Sequence, residues 1–561
     1  MARHLFGLSP ADITVSQSGT SLVLEPGSTG TAWDSRTGGT QLTDLTDLSG
    51  NPITTVTSDT YSTIGFYGPD GVTNLYLDFG FAGGRTLMQA TDLGAAIEDL
   101  QTNKLDVAAD LRSGGTITGD LAVSGRLSAS GFALPLIPPF TRRPAWRDGS
   151  IVTMFQSGHG WTVGSGTGSA SHVDPDTSDF VKGTQAVKVT TAGNASQSQV
   201  RRSGMAPMDL TNKAIRLVIK FDAVTNLDRI NFYVGTSNFT NFFQWTPHTH
   251  STTTSQNWIS DGEWVTLTFG WPSVVSASGS YTLSSTKVPS TTTGFTDMQI
   301  AVYDNGTGPV TYHVQSIDII DGTSATFPSG VCSITFDDSY QSVFDYARPK
   351  MDALGYRGTN YTIVGNLGSP SYLTATEVRQ LQDVNGWEIG AHSYDPAVHT
   401  NRYTSYTAAE VDMDLAKSRA WLVSNGLTGD GVAYPGGNFW RTTDNVSIEG
   451  LVAKYFSHGR SITGQPESAA PPMPYRLRAQ TGINDGTALG GITVSQLTVA
   501  GGPLDQCANG TWLILAFHKI VTTTPAASTE CSQTGFNTVM DAIAARGIKV
   551  LPVSDVLRYY S

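Results

Sequence analysis

The chain has 561 residues, 14% of them charged, with a net charge of −13 and a pI near 5.2. That length calls for several domains rather than one core, and an acidic chain without a Lys/Arg cluster argues against nucleic-acid binding. No apolar run reaches the ~18 residues that span a bilayer, the start MARHLFGLSPADI has too short an apolar stretch for a secretory leader, and Cys332, Cys507 and Cys531 form no disulfide framework.

Residues 1–86 read as short β segments broken by turn signals such as YGPDG and FAGG, a β-rich domain. In residues 87–110, Leu93, Ile97, Leu100 and Val107 recur at three–four spacing, with Lys104 in the remaining seam position. About two heptads of this kind fit either a short coiled coil or an ordinary amphipathic helix. Residues 111–139 repeat every six residues through Gly119, Gly125 and Gly131, and through Leu121 and Leu127. So small a unit needs neighbouring chains to bury its apolar face; the composition also suits a flexible linker.

The stretches TAWDSRTGGTQLTDLTDLSGNPITTVTSD, GFYGPDGVTNLYLDFG and GGTITGDLAVSG together resemble the N-terminal part of tail fibre proteins of phages that infect actinobacteria. The resemblance implies a homotrimeric virion protein attached to the tail baseplate. Such a protein is made in the host cytoplasm without a signal peptide and acts at the host cell surface.

The Pro-rich LPLIPPFTRRP (134–144) leads into the region 140–326, which then alternates apolar with polar in short runs such as AIRLVIKF and EWVTLTFGW, the pattern of a jelly-roll-like β-sandwich. Trp146, Trp161, Trp245, Trp258, Trp264 and Trp271 fall here. Indole faces stack on sugar rings in carbohydrate-binding sandwiches, and they also fill cores; both readings stay open at this level.

Residues 327–561 change character. Strands VCSITF, TNYTIV, GWEIGAHS, GVAYPGG, AKYFSHG, TWLILAFHKI and IKVLPV alternate with helical spacings. Capping boxes open two helices, at Thr374/Glu377 and Thr407/Glu410. This alternation predicts a parallel α/β sheet curled into a distorted barrel, with chemistry at the C-terminal strand ends. Asp337 and Asp338 end the first strand, His392 the third, Tyr434–Gly437 follow a later one and His518 ends TWLILAFH. His458 has no motif around it and reads as structural.

SITFDDSY, GAHSYDPAVH, VAYPGG and LILAFHKI, in this order, resemble the motifs of polysaccharide deacetylases, the NodB-homology group of carbohydrate esterases. The resemblance implies a hydrolase of C–N bonds other than peptide bonds that removes acetyl groups from acetylated cell-surface or cell-wall polysaccharide. Asp338, His392 and His399 would hold a divalent metal, zinc in the first instance, and three ligands leave room for water and substrate. Asp337 would be the general base and His518 the general acid. Gly436 N–H would meet the oxyanion with Tyr434 beside it, and Trp512, Leu513 and Leu515 would either wall the acetyl methyl or belong to the core.

Two departures stand out. The metal histidines of the second motif are usually four apart, whereas His392 and His399 are seven apart. On a helix that is roughly 10.5 Å of rise, and Pro396 argues against a regular helix, so the intervening chain is expected to loop, with Asp395 as the next candidate ligand. The third motif often carries an arginine where Ala433 stands; Arg476 and Arg478 are the candidates to replace it and to hold the base carboxylate down. A non-catalytic receptor-binding tail protein remains the competing reading. A glycosidase would need a second carboxylate that is not evident.

Overall fold

The computed structural model describes residues 3–8, 13–18, 21–80, 84–91, 127–129, 132–134, 150–164, 174–247, 249, 257–486 and 489–560. The chain divides into two compact units, Met1–Ala122 and Val123–Ser561.

The first unit consists of short antiparallel strands around Phe6, Phe66, Leu75, Leu77 and Met88. Strands Gly65–Asp70 and Asn74–Asp78 bury alternate residues, the period of a half-buried sheet. Thr86–Gln89 is a strand too, paired to Asn74–Asp78. It occupies the first positions of the segment expected to be helical over 87–110, because Met88 is buried beside an exposed Leu87, alternation of period two. The remainder of that helix falls outside the described residues, as does the glycine-hexad stretch apart from the hairpin Leu127–Ala129/Phe132–Leu134.

In the second unit, two six-stranded antiparallel sheets share one apolar core. Their longest strands, Lys213–Phe221 and Thr311–Asp321 in one sheet and Leu227–Thr236 and Asp297–Asp304 in the other, contribute Leu217, Ile317, Phe232 and Ile300 to it. Four of the described tryptophans, Trp161, Trp245, Trp258 and Trp271, serve this core, and Trp264 lies on the other face of its strand. Trp161, Trp245 and Trp258 are buried, Trp271 packs against Phe243 and donates to Leu210 O at 2.7 Å, and Trp264 donates to Asp179 at 3.0 Å. Those five indoles are therefore occupied in packing and hydrogen bonds rather than arrayed as a sugar platform; Trp146 lies outside the described residues.

The C-terminal part carries a parallel sheet of seven strands: β1 (Val331–Phe336), β2 (Thr359–Ile363), β3 (Glu388–Ser393), β4 (Gly431–Ala433), β5 (His458–Arg460), β6 (Trp512–Phe517) and β7 (Lys549–Val550). They pair in the order β5-β4-β3-β2-β1-β6, with β7 beside the start of β1. The segment Leu477–Gln480 bridges the two edges. Leu477 N donates to Gly459 O at 2.9 Å and Gln480 N to Ile514 O at 2.8 Å, so the sheet curls into a half-barrel whose edges this segment links. Every residue of β1 and β6 is buried, as expected for parallel strands covered on both faces. Cys332, Ile334 and Phe336 pack outward with Leu513, Leu515 and Phe517. Among the helices outside are α1 (Ala375–Asp383), α2 (Pro396–Asn401), α3 (Ala408–Ser424) and α4 (Gln533–Ala545). Both expected capping boxes form, at the starts of α1 and α3.

Arg476 joins barrel to sandwich. Fully buried, it donates to Glu263 of the sandwich at 2.9 and 2.8 Å, to Glu449 of the barrel at 2.9 Å, and to Trp258 O at 2.6 Å. Arg476→Met strands two carboxylates at a buried junction, so the chain is expected to lose about 3–5 kcal/mol, read as a lower midpoint of chemical denaturation. A shift below ~1 kcal/mol, the range of exposed pairs, would show the cluster to be solvated.

Candidate active site

The rim at the C-terminal strand ends collects Asp337 and Asp338 from β1, His392 from β3, Arg460 from β5 and, just beyond β6, His518. Phe336 and Phe517 are register partners, which places Asp337 and His518 side by side: His518 Nε2 lies 3.6 Å from Asp337 Oδ2. After β1 the chain turns through two consecutive left-handed residues, Asp338 (φ 70°) and Ser339 (φ 59°). Such conformations cost on the order of 1 kcal/mol each and persist where surrounding contacts fix them. Here Asn360 donates to Ser339 Oγ at 2.8 Å and Ser339 Oγ to Thr362 Oγ1 at 3.2 Å.

Asp338, His392 and His399 converge. Their ligand atoms all lie within 4.8 Å of one another, with Asp338 Oδ1 3.6 Å from His392 Nε2 and 3.3 Å from His399 Nε2. The segment between the histidines is not the expected loop. Pro396 occupies the first turn of α2, where its missing N–H is no loss, and His399 sits in the last turn. The chain leaves β3 through Ser393 (φ 126°) and enters α2 at an extended Asp395, with the two rings 4.5 Å apart between centroids. Asp395 is not a ligand candidate: its carboxylate caps α2, accepting from Ala397 N at 2.8 Å. Buried Asp414 of α3 anchors the approach, accepting from Tyr394 N at 3.1 Å, Asp395 N at 2.9 Å and Tyr403 Oη at 3.0 Å.

The donor set fits a divalent cation. Asp338 Oδ1 is buried without a hydrogen-bond donor. His392 Nδ1 bonds Ala433 O at 2.8 Å, which assigns its proton to that nitrogen and leaves the Nε2 lone pair toward the cluster. Burial pushes Asp338 up and holds His392 down at about 3, so the imidazole is neutral, the form that ligates. Burial likewise lowers His399. His399→Ala removes one of three ligands; zinc affinity is expected to fall at least 100-fold, beyond the 10–100-fold typical of losing a supporting residue, as read by competition with a chelating dye. Unchanged affinity would assign the third ligand elsewhere.

Asp337 has a different environment. Burial alone would raise its carboxyl, but the Arg460 guanidinium, with His392 and His518, outweighs burial and holds it at about 2. Arg460 is fully buried and donates from Nη2 to both carboxylate oxygens, at 2.6 Å to Oδ2. It also lies over the Tyr361 ring at 5.3 Å. Arg460 is the register partner of Ala433, so the guanidinium missing at Ala433 arrives from the next strand. Arg476 and Arg478, the expected substitutes, are elsewhere: Arg476 at the sandwich junction, Arg478 on Gln465 at 3.1 Å and over Trp258. The signal that would have found Arg460 is its place at the end of β5, two residues after His458. His458 itself is buried at the strand's start, its Nδ1 3.1 Å from Ser457 Oγ.

Three expected substrate contacts are displaced as well. Tyr434 is buried and donates to Tyr475 O at 2.7 Å. Trp512 starts β6, six residues before His518 and roughly 20 Å away along the strand, and donates to Ser333 Oγ at 3.0 Å. Leu515, like Leu513, faces the helix layer, since alternate residues of a strand point to opposite faces. Gly436 remains on the rim side in a left-handed turn (φ 61°), with Arg402 so close that a Cβ would meet its Nε at 2.4 Å.

Residues 324–449 match the polysaccharide deacetylase family model. The matched stretch contains Asp337, Asp338, His392, His399 and Gly436, and it ends before Arg460 and His518. Similar solved structures include a Streptococcus pyogenes deacetylase, PplD, in complex with acetate (20% identity, covering 26% of this chain and 62% of that one, TM-score 0.23). The Xyl-CE4 domain of a multidomain xylanase from the hindgut metagenome of Trinervitermes trinervoides is similar over 41% of this chain and 90% of that one (16% identity, TM-score 0.28). A family 4 acetyl xylan esterase from Clostridium thermocellum is similar at 14% identity over 41% of this chain and 90% of that one, with a TM-score of 0.26. No curated protein matches the chain.

Proposed function

We propose that the chain is a metal-dependent deacetylase of host surface polysaccharide, carried on a phage tail fibre or tail spike. The observation that carries the catalytic part is the buried Asp337–Arg460 pair beside the Asp338–His392–His399 cluster: binding a glycan requires no ionised carboxylate in that place. A divalent cation held by the three residues, zinc in the first instance, supplies Lewis acidity toward an acyl oxygen and lowers the pKa of a neighbouring water.

The chain's own groups divide the proton work. Asp337, kept ionised by Arg460, accepts the proton of the attacking water. His518, 3.6 Å from Asp337, donates a proton to the departing amine or alcohol. His392 keeps its orientation through Ala433 O. The motif resemblance gives the Gly436 backbone the role of meeting the developing oxyanion. The tail-fibre part of the reading rests on the N-terminal motif resemblance, which also supplies the homotrimer, the baseplate partner and release with the virion.

The test is acetate release from host cell-wall fractions by the full-length protein. Release that EDTA abolishes and Zn²⁺ restores is the expected result. Tight glycan binding with no acetate released would select the non-catalytic receptor-binding reading instead.

A further inference from the structure

The sandwich carries a polar face that its core does not use. In the sheet that holds Leu227–Thr236 and Asp297–Asp304, alternate residues point away from the core residues Phe232 and Ile300. Strand Gln197–Arg202 pairs with Asp297–Asp304, and Asn241–Trp245 pairs with Leu227–Thr236 on the other side. The register sets the outward residues in rows. Gln199, Ala301 and Asn231 make one row, and Arg201, Gln299, Tyr233 and Gln244 the next. Gln197, paired with Tyr303, begins the row before them. Five amides, Gln197, Gln199, Gln299, Asn231 and Gln244, thus share one face across three interstrand spacings, roughly 14 Å. The middle of the face is buried and its margin is open: Asn231 is 3%, Gln199 6% and Gln299 7% exposed, whereas Gln197, Phe242 and Gln244 are half-buried.

On one side of Ala301 the amides are tied together. Ser276 donates to Gln244 at 3.3 Å, Gln244 to Thr246 at 3.2 Å, Thr246 to Asn231 at 2.8 Å and Asn231 to Tyr233 Oη at 3.0 Å. On the other side they are not: the side-chain oxygens of Gln197 and Gln199 are buried and meet no hydrogen-bond donor among the described residues. A buried acceptor without a donor destabilises the fold unless a ligand supplies the donor. Gly164 leaves room beside it, since a Cβ there would lie 2.1 Å from Gln199 Oε1. The charged groups at the margin are already engaged: Arg201 donates to Asn238, Arg229 to Asp228, and Asp297 accepts from Gly204 N at 3.1 Å and Phe239 N at 3.0 Å. What is left to offer is amide, which donates and accepts from one side chain, and that suits an uncharged ligand whose own groups do both, as sugar hydroxyls do. Phe242, edge-on to Tyr233 at 5.3 Å between centroids, adds an apolar ring for the face of a pyranose. We propose that this face of the sandwich binds an uncharged polysaccharide strand, with Gln197 and Gln199 accepting from its hydroxyls. The site uses no residue of the barrel rim and does not rest on the deacetylase reading.

Calorimetry on the full-length protein in EDTA, which stops turnover, tests this with chitohexaose, cellohexaose and mannohexaose as uncharged probes and hexagalacturonate as a charged one. At least one uncharged hexamer is expected to bind, and more tightly than hexagalacturonate. Gln199→Met is expected to weaken the preferred hexamer about fivefold, and the double variant Gln197→Met/Gln199→Met about 25-fold, one hydrogen bond for each amide lost. Methionine keeps the length of the side chain and removes the unpaired acceptor, so the denaturation midpoints of both variants are expected to equal or exceed that of the wild type. Unchanged affinity in the double variant, no binding of any uncharged hexamer, or tighter binding of hexagalacturonate would each overturn the proposal. A lower midpoint would overturn it too, because the two amides would then serve the fold. Hexamer binding that depends on the two glutamines, together with no acetate release from any substrate, would leave this face standing and overturn the deacetylase reading.

Discussion

Asp337→Asn is expected to lower kcat for acetate release by about 10²–10⁴-fold, the span that a positioned general base contributes, while leaving zinc stoichiometry at the wild-type value. The amide fills the same volume and can still accept from Arg460, so the fold and the neighbouring Asp338–His392–His399 cluster should persist. What it cannot do is take a proton from water. Acetate release and metal content, measured on one preparation, separate this from a ligand loss: a variant that loses zinc together with activity would place Asp337 in the metal shell. Its carboxylate does lie 3.9 Å from His392 Nε2, against 3.6 Å for Asp338. A drop of less than tenfold with metal retained would give the base role to another group.

Arg460→Gln should have two effects with different pH signatures. Asp337 is held at about 2 although burial pushes it upward, so removing the guanidinium lets burial prevail and the carboxyl rises. The acid limb of the kcat/KM profile then moves to higher pH, and the loss of activity is greater at acidic than at alkaline pH. The stability sign follows from the same shift. A depressed carboxyl stabilises the fold above its unfolded value of 3.8 and loses that contribution as pH falls toward about 2. In the variant the stabilisation is missing throughout the neutral range, and stranding a buried carboxylate is expected to cost about 3–5 kcal/mol. Denaturation at pH 7 and a pH–rate series check both. Because both bonds to Asp337 come from the single Nη2, charge rather than the planar fork matters, and Arg460→Lys should restore most of the acid limb. An acid limb that stays in place in Arg460→Gln would remove Arg460 from the tuning of the base.

Much of the site was legible before any coordinates. Asp337, Asp338, His392 and His518 were readable because each follows a run of strand-forming residues, and a parallel barrel brings such positions to one rim whatever the details of packing. The capping boxes at Thr374 and Thr407 were readable for a similar reason: they are local, completed within four residues. His399 is legible as a ligand, but the path to it is not: along the sequence Pro396 reads as a helix breaker, whereas its place in the first turn of α2 makes it a helix starter.

What failed depended on contacts between distant segments. Arg460 could not be told from Arg476 or Arg478 along the chain, because all three are arginines near strand or loop ends. Only the pairing of β4 with β5, which sets Arg460 opposite Ala433, decides which guanidinium reaches Asp337. The tryptophans of the middle region were ambiguous because an indole in an alternating strand looks the same whether its face meets a core or a sugar; the two-sheet packing turned Trp161, Trp245, Trp258 and Trp271 to core and junction and left Trp264 on the outer face, bonded to Asp179. Tyr434 follows β4 with its hydroxyl turned to Tyr475 O, Trp512 stands at the far end of β6 from the rim, and Leu515 faces outward. By itself, then, the sequence determined the residue types and the strand ends that carry the chemistry, since those follow from local periodicity. The tertiary structure alone decided which cation holds the base, how two histidines seven apart share one point, and which amides share one face of the sandwich, because each depends on which strands lie side by side.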